Sequence, residues 1–390
     1  MLVAVSGVMV IFPLFPSLQE SLGLPTAGVG FIAAGGFAAT LVAELLFAPQ
    51  ADRGHGRAMA TSGAALVAAS LALSAVSTEV WHLVGARAVG GVGVGLFTAA
   101  ASGMLVRLDS ARSGELLGRL SAFELAGISL GPLGAALGLA VADPQATFAV
   151  SACVVAAGAV VVGLLFRDAA PQRITDSARP PIIAFDLLRS RFVVGAVVLQ
   201  FAVMVPVGAY DAIWPRFMAD IGAGPLLTAA SYTVFAIPYV IVAGWAGRLA
   251  DRLGGATAYA RGVLVLIVTI SLYAVLPNPW IATGLGLVES SGQAFAFIGA
   301  AAAMAHAVVP ARASSAQGLL RASGLIAATV ASALSGVVYA DLGALTLFWG
   351  TAGTVLVVSI AGLMLLRGSQ RARGRPESAG AVPVTSRAVP

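Results

Sequence analysis

Five ionisable side chains stand where the surrounding sequence is almost wholly apolar: Glu44, Glu124, Asp211, Glu289 and Arg87. A carboxyl group moved out of water favours its neutral form, so it can hold a proton when dry and release it when water arrives. An arginine stays charged and must face a carboxylate, backbone carbonyls or a wet cavity. Proton carriage and ion pairing are therefore the chemistry on offer. Glu124 is the first candidate to carry a proton, and Arg87 is the charge expected to tune it. Glu44 either joins that network or lies solvated at a cavity mouth, and for Arg87 the alternative is snorkelling to the outer interface. Asp211, Tyr210, Glu289 and Gln293 are the candidates for touching a small-molecule substrate. Glu289 and Gln293 share one helical face. Asp211 lies in the run Tyr210–Arg216, where an interfacial pairing with Arg216 competes with a cavity role. No His, Cys and carboxylate set has metal-ligand spacing, and there is no phosphate-cradling loop or nucleophile elbow. Neither a metal, a cofactor nor an enzymatic activity is expected.

These residues must be positioned by membrane helices. Of 390 residues, 59% are hydrophobic and 10% charged, and mean hydropathy is +0.95. Soluble domains carry about 25% charged residues, so a water-soluble globule is excluded. At about 20 apolar residues per crossing, the apolar stretches predict spans near 1–17, 26–50, 58–77, 80–106, 117–141 and 145–166. A second set follows near 192–215, 226–247, 257–276, 280–306, 314–340 and 343–366. The expected fold is all-α: a polytopic membrane protein of twelve transmembrane helices in two six-helix bundles. Residues 1–166 form the first bundle, 167–191 a polar linker, 192–366 the second bundle and 367–390 a disordered tail. The first span contains Pro13 and Pro16 and lacks a polar lead-in, so a native start upstream of Met1 is expected, with no cleavable signal peptide. Trp214, Trp245 and Trp280, near span ends, are read as interfacial anchors.

All 22 basic residues are arginines. On this map only Arg216 falls on the far face and only Arg87 within a span; the rest lie on the face of the linker and both termini. The positive-inside bias makes that face cytoplasmic, in a bacterial plasma membrane. The net charge of +5 is thus a membrane signature, with lipid as the surrounding partner and no nucleic acid. The single Cys153 excludes a disulfide within one chain, and the protein is expected to be a monomer.

The halves echo one another. Asp52-Arg53 recurs as Asp251-Arg252, 199 residues on; Ala111-Arg112 recurs as Ala311-Arg312, and Gly118, Ala122 and Leu125 as Gly318, Ala322 and Leu325, 200 residues on. Six-plus-six repeats place a substrate site at their interface near the bilayer midplane. After span 8 the sequence reads Gly247-Arg248-Leu249-Ala250-Asp251-Arg252-Leu253-Gly254. This resembles the GxLADRxG signature of the major facilitator superfamily, read as a tight turn with glycine supplying the reversal. The first-half copy keeps Asp52, Arg53 and Arg57, but Ala48 stands in place of the first glycine. Span 4 carries Arg87, Gly91 and Gly95 on one stripe with Thr98 and Ser102, similar to the family's fourth-span motif of proton-coupled members. In span 5, Gly127, Gly131, Pro132, Gly134 and Gly138 resemble the family's antiporter motif. Spaced glycines also let helices approach closely, and the proline bends its helix.

The resemblance implies a secondary transporter working by alternating access, with Asp52, Arg53, Arg57, Gly247, Asp251 and Arg252 at gating turns. It further implies proton-coupled efflux of small amphipathic molecules, with protons and substrate as partners. The alternatives are a facilitator or importer of a polar metabolite such as a sugar, or a non-transporting membrane receptor or structural protein.

Overall fold

The structure, a computed structural model, describes residues 1–51, 55–108, 113–165, 185–309 and 312–373. Asp52 and Arg53 of the first gating turn, Ala111, and most of the linker and tail lie outside the described residues.

Among the described residues every span of the expected set is helical. Span 1, Leu2–Leu22, is interrupted at Val10. Pro13 has no N–H to offer the helix, so the chain breaks there and restarts, and Gly23 ends it with φ +64°. Spans 2 to 6 are Thr26–Ala51, Gly56–Ala75, Val80–Leu108, Ser113–Leu139 and Pro144–Leu165. A 3-10 turn, Phe185–Arg189, leads into spans 7 to 10: Arg191–Asp220, Pro225–Leu253, Gly255–Val275 and Pro279–Ala307. Spans 11 and 12 share one continuous stretch, Ala313–Arg373, broken only at Gly343, where φ is +79°. That single glycine does the work of the expected two-residue loop. The stretch also carries span 12 through residues 367–373, which were expected to be part of a disordered tail.

Call the side bearing the 3-10 turn the linker face and the opposite side the distal face. Spans 6, 8 and 10 start at the distal face with proline at the first position, where the missing donor costs nothing. Asp143 and Asn278 cap two of them: Asp143 accepts from Ala146 N at 2.7 Å, and Asn278 from Trp280 N at 3.0 Å and Ile281 N at 3.2 Å.

Among the described residues, nine helical stretches are long and apolar enough to cross a bilayer, the last of them holding spans 11 and 12. Span 10 is not among them, and span 5 contributes the shorter apolar stretch Phe123–Leu139. These two helices carry Glu289 and Glu124, and neighbouring helices shelter their polar positions. Val154, Val161, Leu164, Val240, Ile241, Trp245 and Trp280 are exposed, an apolar belt suited to lipid. Trp214 is no interfacial anchor: it is buried, and its indole N–H donates to Ser231 Oγ at 2.8 Å.

Span 2 packs on spans 4, 7 and 11, and span 5 on span 8, so both bundles meet along these helices. They meet closest near the distal face. A Cβ on Gly30 of span 2 would lie 3.0 Å from the Gly336 nitrogen of span 11, and one on Gly336 would lie 2.8 Å from the Ala27 carbonyl oxygen. Within span 1 the distal segment packs on span 7 of the other half and equally on span 5 of its own, while the linker-side segment packs on spans 3, 5 and 6 of its own half.

Candidate functional site

The break in span 1 leaves carbonyls near the end of Leu2–Met9 short of helical donors, although the Gly7 carbonyl still accepts from Val10 N–H at 3.3 Å. Arg87 of span 4 supplies one, its Nη1 donating to the Val8 carbonyl at 2.9 Å. Its guanidinium carbon lies 4.8 Å from the centre of the Phe12 ring, a cation–π contact. The side chain is 5% exposed, and its Nε has no hydrogen-bond partner. Gly36 makes room for it, since a Cβ there would sit 2.9 Å from Nε. Arg87 therefore points inward and not to the outer interface. The charge it interacts with is Asp211 of span 7, in the other half. Asp211 does not take Arg216, which pairs instead with Asp220, one turn on, at 2.8 Å.

Glu124 stands elsewhere. Its electrostatic neighbours are Arg321 of span 11, Glu44 of span 2, Tyr239 of span 8 and the Met1 amino group. Arg321 is engaged by Glu44 through two oxygens, at 2.6 Å and 3.2 Å. This two-pronged pair crosses from one half to the other. Glu124 has neither an ion pair nor a hydrogen bond to any described residue. Arg321 was assigned by its position to the linker face, yet it sits inside span 11 with a side chain 51% exposed. The signal that singled out Arg87, an arginine within an apolar run, applied to Arg321 as well.

Glu289 is buried in the second half. Its Oε2 accepts from Tyr273 Oη at 2.6 Å, while its Oε1 and the hydroxyl of Tyr210 beside it lack partners. Tyr210, Trp214, Tyr273 and Phe348 pack ring to ring around this carboxyl, with centroids 5.0–6.0 Å apart. Gln293 is buried one turn along from Glu289. Sequence alone did not single out Tyr273 or Tyr239.

The glycines divide by neighbour. A Cβ on Gly95 would lie 2.8 Å from Ala43 Cβ of span 2, and Gly91 faces the Gly36 carbonyl. In span 5, Gly127 and Gly131 face span 1, where a Cβ would meet Val5 Cβ at 2.8 Å and Met9 Cβ at 2.7 Å. Gly138 faces Thr147 of span 6, and Gly134 has nothing within 4 Å, so the four do not share one packed face. Pro132 lies inside the helix.

The expected turn after span 8 is helical through Gly247, Asp251 and Arg252, and the reversal falls at Gly254, φ +87°. Asp251 and Arg252 are exposed at the linker face. Arg57 ties the start of span 3 to the end of span 6, donating through Nε to the Gly163 carbonyl at 3.0 Å. Arg312 and Asp186 pair at 2.9 Å, fastening the 3-10 turn to the start of span 11.

A family model, that of the Major Facilitator Superfamily, matches residues 1–210 and again residues 196–389. A crystal structure of a mutant of the nucleoside transporter NupG is similar at TM-score 0.77 and 15% identity, covering 93% of this chain and 98% of that one. An inward-facing, unoccupied bacterial homologue of the human lysosomal transporter Spinster is similar at TM-score 0.78 and 13% identity, with 96% of each chain covered. No curated protein matches the sequence.

Proposed function

Because the chain belongs to the Major Facilitator Superfamily, and is thereby a multi-pass membrane transporter of small molecules, we propose that it exchanges protons for small amphipathic molecules by alternating access. The observation that carries this reading is one arginine shared among two acids between the halves: Arg321 is paired with Glu44, and Glu124 is left unpaired within its field. With both acids ionised the two carboxylates share one guanidinium and carry one excess negative charge between the three, an arrangement a proton relieves. Protonating Glu44 frees Arg321 for Glu124 and moves the tie between the halves from span 2 to span 5; deprotonation reverses it. Proton affinity and conformation are then linked, since each state binds the proton differently.

The arginine bias assigns the linker face and both termini to the cytoplasm of a bacterial plasma membrane. Uptake of an external proton would drive substrate outward. Arg87 and Asp211, the acting charges nearer the distal face, supply a second electrostatic link between the halves. The mostly apolar helix surfaces favour an amphipathic cargo over a sugar.

Reconstituted proteoliposomes test this. Substrate counterflow is expected to follow an imposed pH gradient, and Glu124→Gln to abolish that dependence while the protein still inserts and elutes as a single species. Flux indifferent to the gradient in the wild type would overturn proton coupling and indicate a facilitator; normal coupling in Glu124→Gln would remove Glu124 from the mechanism.

A further inference from the structure

At the linker face of the second half, where spans 7 and 11 begin and span 10 ends, the helix ends leave a cavity of about 470 Å3. Small-molecule sites run to about 300–1,000 Å3. One part of the lining is apolar, formed by Leu187, Val193, Ala307, Val308 and Val309. The rest is polar: Asp186, Arg189, Ser190 and Arg312.

The polar part consists mainly of donors. Arg312 spends one guanidinium nitrogen on Asp186, at 2.9 Å, and a guanidinium has five N–H groups. Arg189 has no carboxylate partner among the described residues. Ser190 stands at the cap position of span 7, and its hydroxyl makes no capping hydrogen bond, so no side chain satisfies the first N–H groups of that helix. Asp186 is the one anion in the lining, and Arg312 neutralises it. The charge of Arg189 is left in excess.

A ligand complementary to both parts carries a negative charge with several acceptor oxygens at one end and an apolar body at the other. The donors come from three elements: the 3-10 turn, the start of span 7 and the start of span 11. A carboxylate brings two oxygens to them, whereas a phosphate ester brings three and a larger charge. Phosphate is therefore the better match.

We infer that this cavity binds a phosphate ester with an apolar body, the phosphate held by Arg189, Arg312 and the start of span 7. The inference goes beyond the transport reading, since it depends on neither cargo nor coupling ion. A phospholipid headgroup and a soluble ester supply the same chemistry. Because the 3-10 turn and span 11 both line the cavity, a bound ligand fastens the two elements that the Asp186–Arg312 pair already ties.

The test is calorimetric titration of phenyl phosphate into the purified full chain in nanodiscs of zwitterionic phosphatidylcholine. Amide protection factors of residues 185–189 are read in parallel. Saturable binding is expected, with higher protection of that turn. Benzyl alcohol should not bind, and benzoate should bind about tenfold more weakly. Arg189→Gln should weaken phenyl phosphate about tenfold, and Arg189→Lys less. Val309 lines the cavity and is 63% exposed, so substitution there disturbs no packing. Val309→Glu should weaken binding and Val309→Arg strengthen it. Native mass spectrometry with phosphatidylglycerol and phosphatidylcholine separates the two sources. One retained phosphatidylglycerol, displaced by phenyl phosphate and lost in Arg189→Gln, assigns the site to a lipid headgroup; phenyl phosphate binding without lipid retention assigns it to a soluble ester. Absence of saturable phenyl phosphate binding overturns the inference. So does benzoate binding as tightly, or an affinity indifferent to Arg189→Gln and to the sign of the charge at position 309. No flux is measured, so failure here leaves the exchange reading standing, and gradient-indifferent flux leaves this site standing.

Discussion

Removing either member of the Glu44–Arg321 pair has unequal consequences, because Arg321 faces two carboxylates and Glu44 faces one guanidinium. Arg321→Gln leaves Glu44 and Glu124 as neighbouring like charges, whereas Glu44→Gln leaves Arg321 free to turn to Glu124. Arg321→Gln is therefore expected to lower the thermal unfolding midpoint in detergent more than Glu44→Gln does. The coupling energy of the pair in a double-mutant cycle should be about 1 kcal/mol, modest because the arginine side chain is half exposed. Equal or reversed losses would show that Arg321 does not act on Glu124. At this scale the sequence marked the costly residues, since a charge in an apolar run needs no structure to be noticed. It did not supply their partners: Arg87 was matched with Glu124, while the fold sets Arg87 towards Asp211 and Glu124 towards Arg321.

Helices meet where glycine lets them, and in span 5 two glycines three residues apart make opposite predictions. Gly131 lies against Met9, where an added Cβ would be 2.7 Å from Met9 Cβ, whereas Gly134 has nothing within 4 Å. Gly131→Ala should force span 1 away and destabilise by about 1–3 kcal/mol, as overpacking does. Gly134→Ala should be neutral or stabilise by up to about 1 kcal/mol through helix propensity. Melting curves of the two single variants check this, and equal effects would mean that span 5 is not seated on span 1 through Gly131. The sequence showed a regular 4, 3, 4 spacing of glycines, but spacing cannot say which neighbour each one meets. Likewise the Gly247–Arg252 motif was read as a turn, whereas its residues continue the helix until Gly254, the position where φ is positive. Gly254 is the last glycine of the GxLADRxG match, so the motif does supply the reversing glycine, but at its end, and its earlier residues carry no proline or left-handed glycine to stop the helix sooner.

Across the whole molecule, the halves are held near the distal face by backbone contact at Gly30 and Gly336 and nearer the linker face by the Glu44–Arg321 pair. Close-packed glycine backbones have no titratable group, so pH acts on the interface through its charges, Glu44 with Arg321 nearer the linker face and Asp211 with Arg87 nearer the distal face. The connection between the halves carries its own ionic tie. The hydrogen bond from Arg312 holds the Asp186 carboxyl below its usual range. A depressed carboxyl contributes its stability above the unfolded value, about 3.9 for aspartate, and loses it as pH falls through the lower folded value. The Asp186–Arg312 tie is thus expected to be complete at neutral pH and to open only in strong acid. Protection factors of the amides of residues 185–189, which divide out the intrinsic slowing of exchange in acid, should then be high at neutral pH and fall in strong acid. Asp186→Asn should show low protection at both, and a variant as protected as the wild type at neutral pH would show the tie to be idle.

The amino-acid order alone determined the class: too few charges for water, enough apolar length for twelve crossings, and a repeat that divides them six and six, all properties that add up along the chain. It also determined which residues would be costly to bury. Only the tertiary structure decided which of those costs cancel. A charge buried in one span is met by a charge on another, far along the chain, and that meeting depends on how the bundles are rotated and pressed together. Local periodicity carries no information about that rotation, so Arg321 beside Glu44, and Glu124 left alone at the seam, became visible only once the helices were assembled.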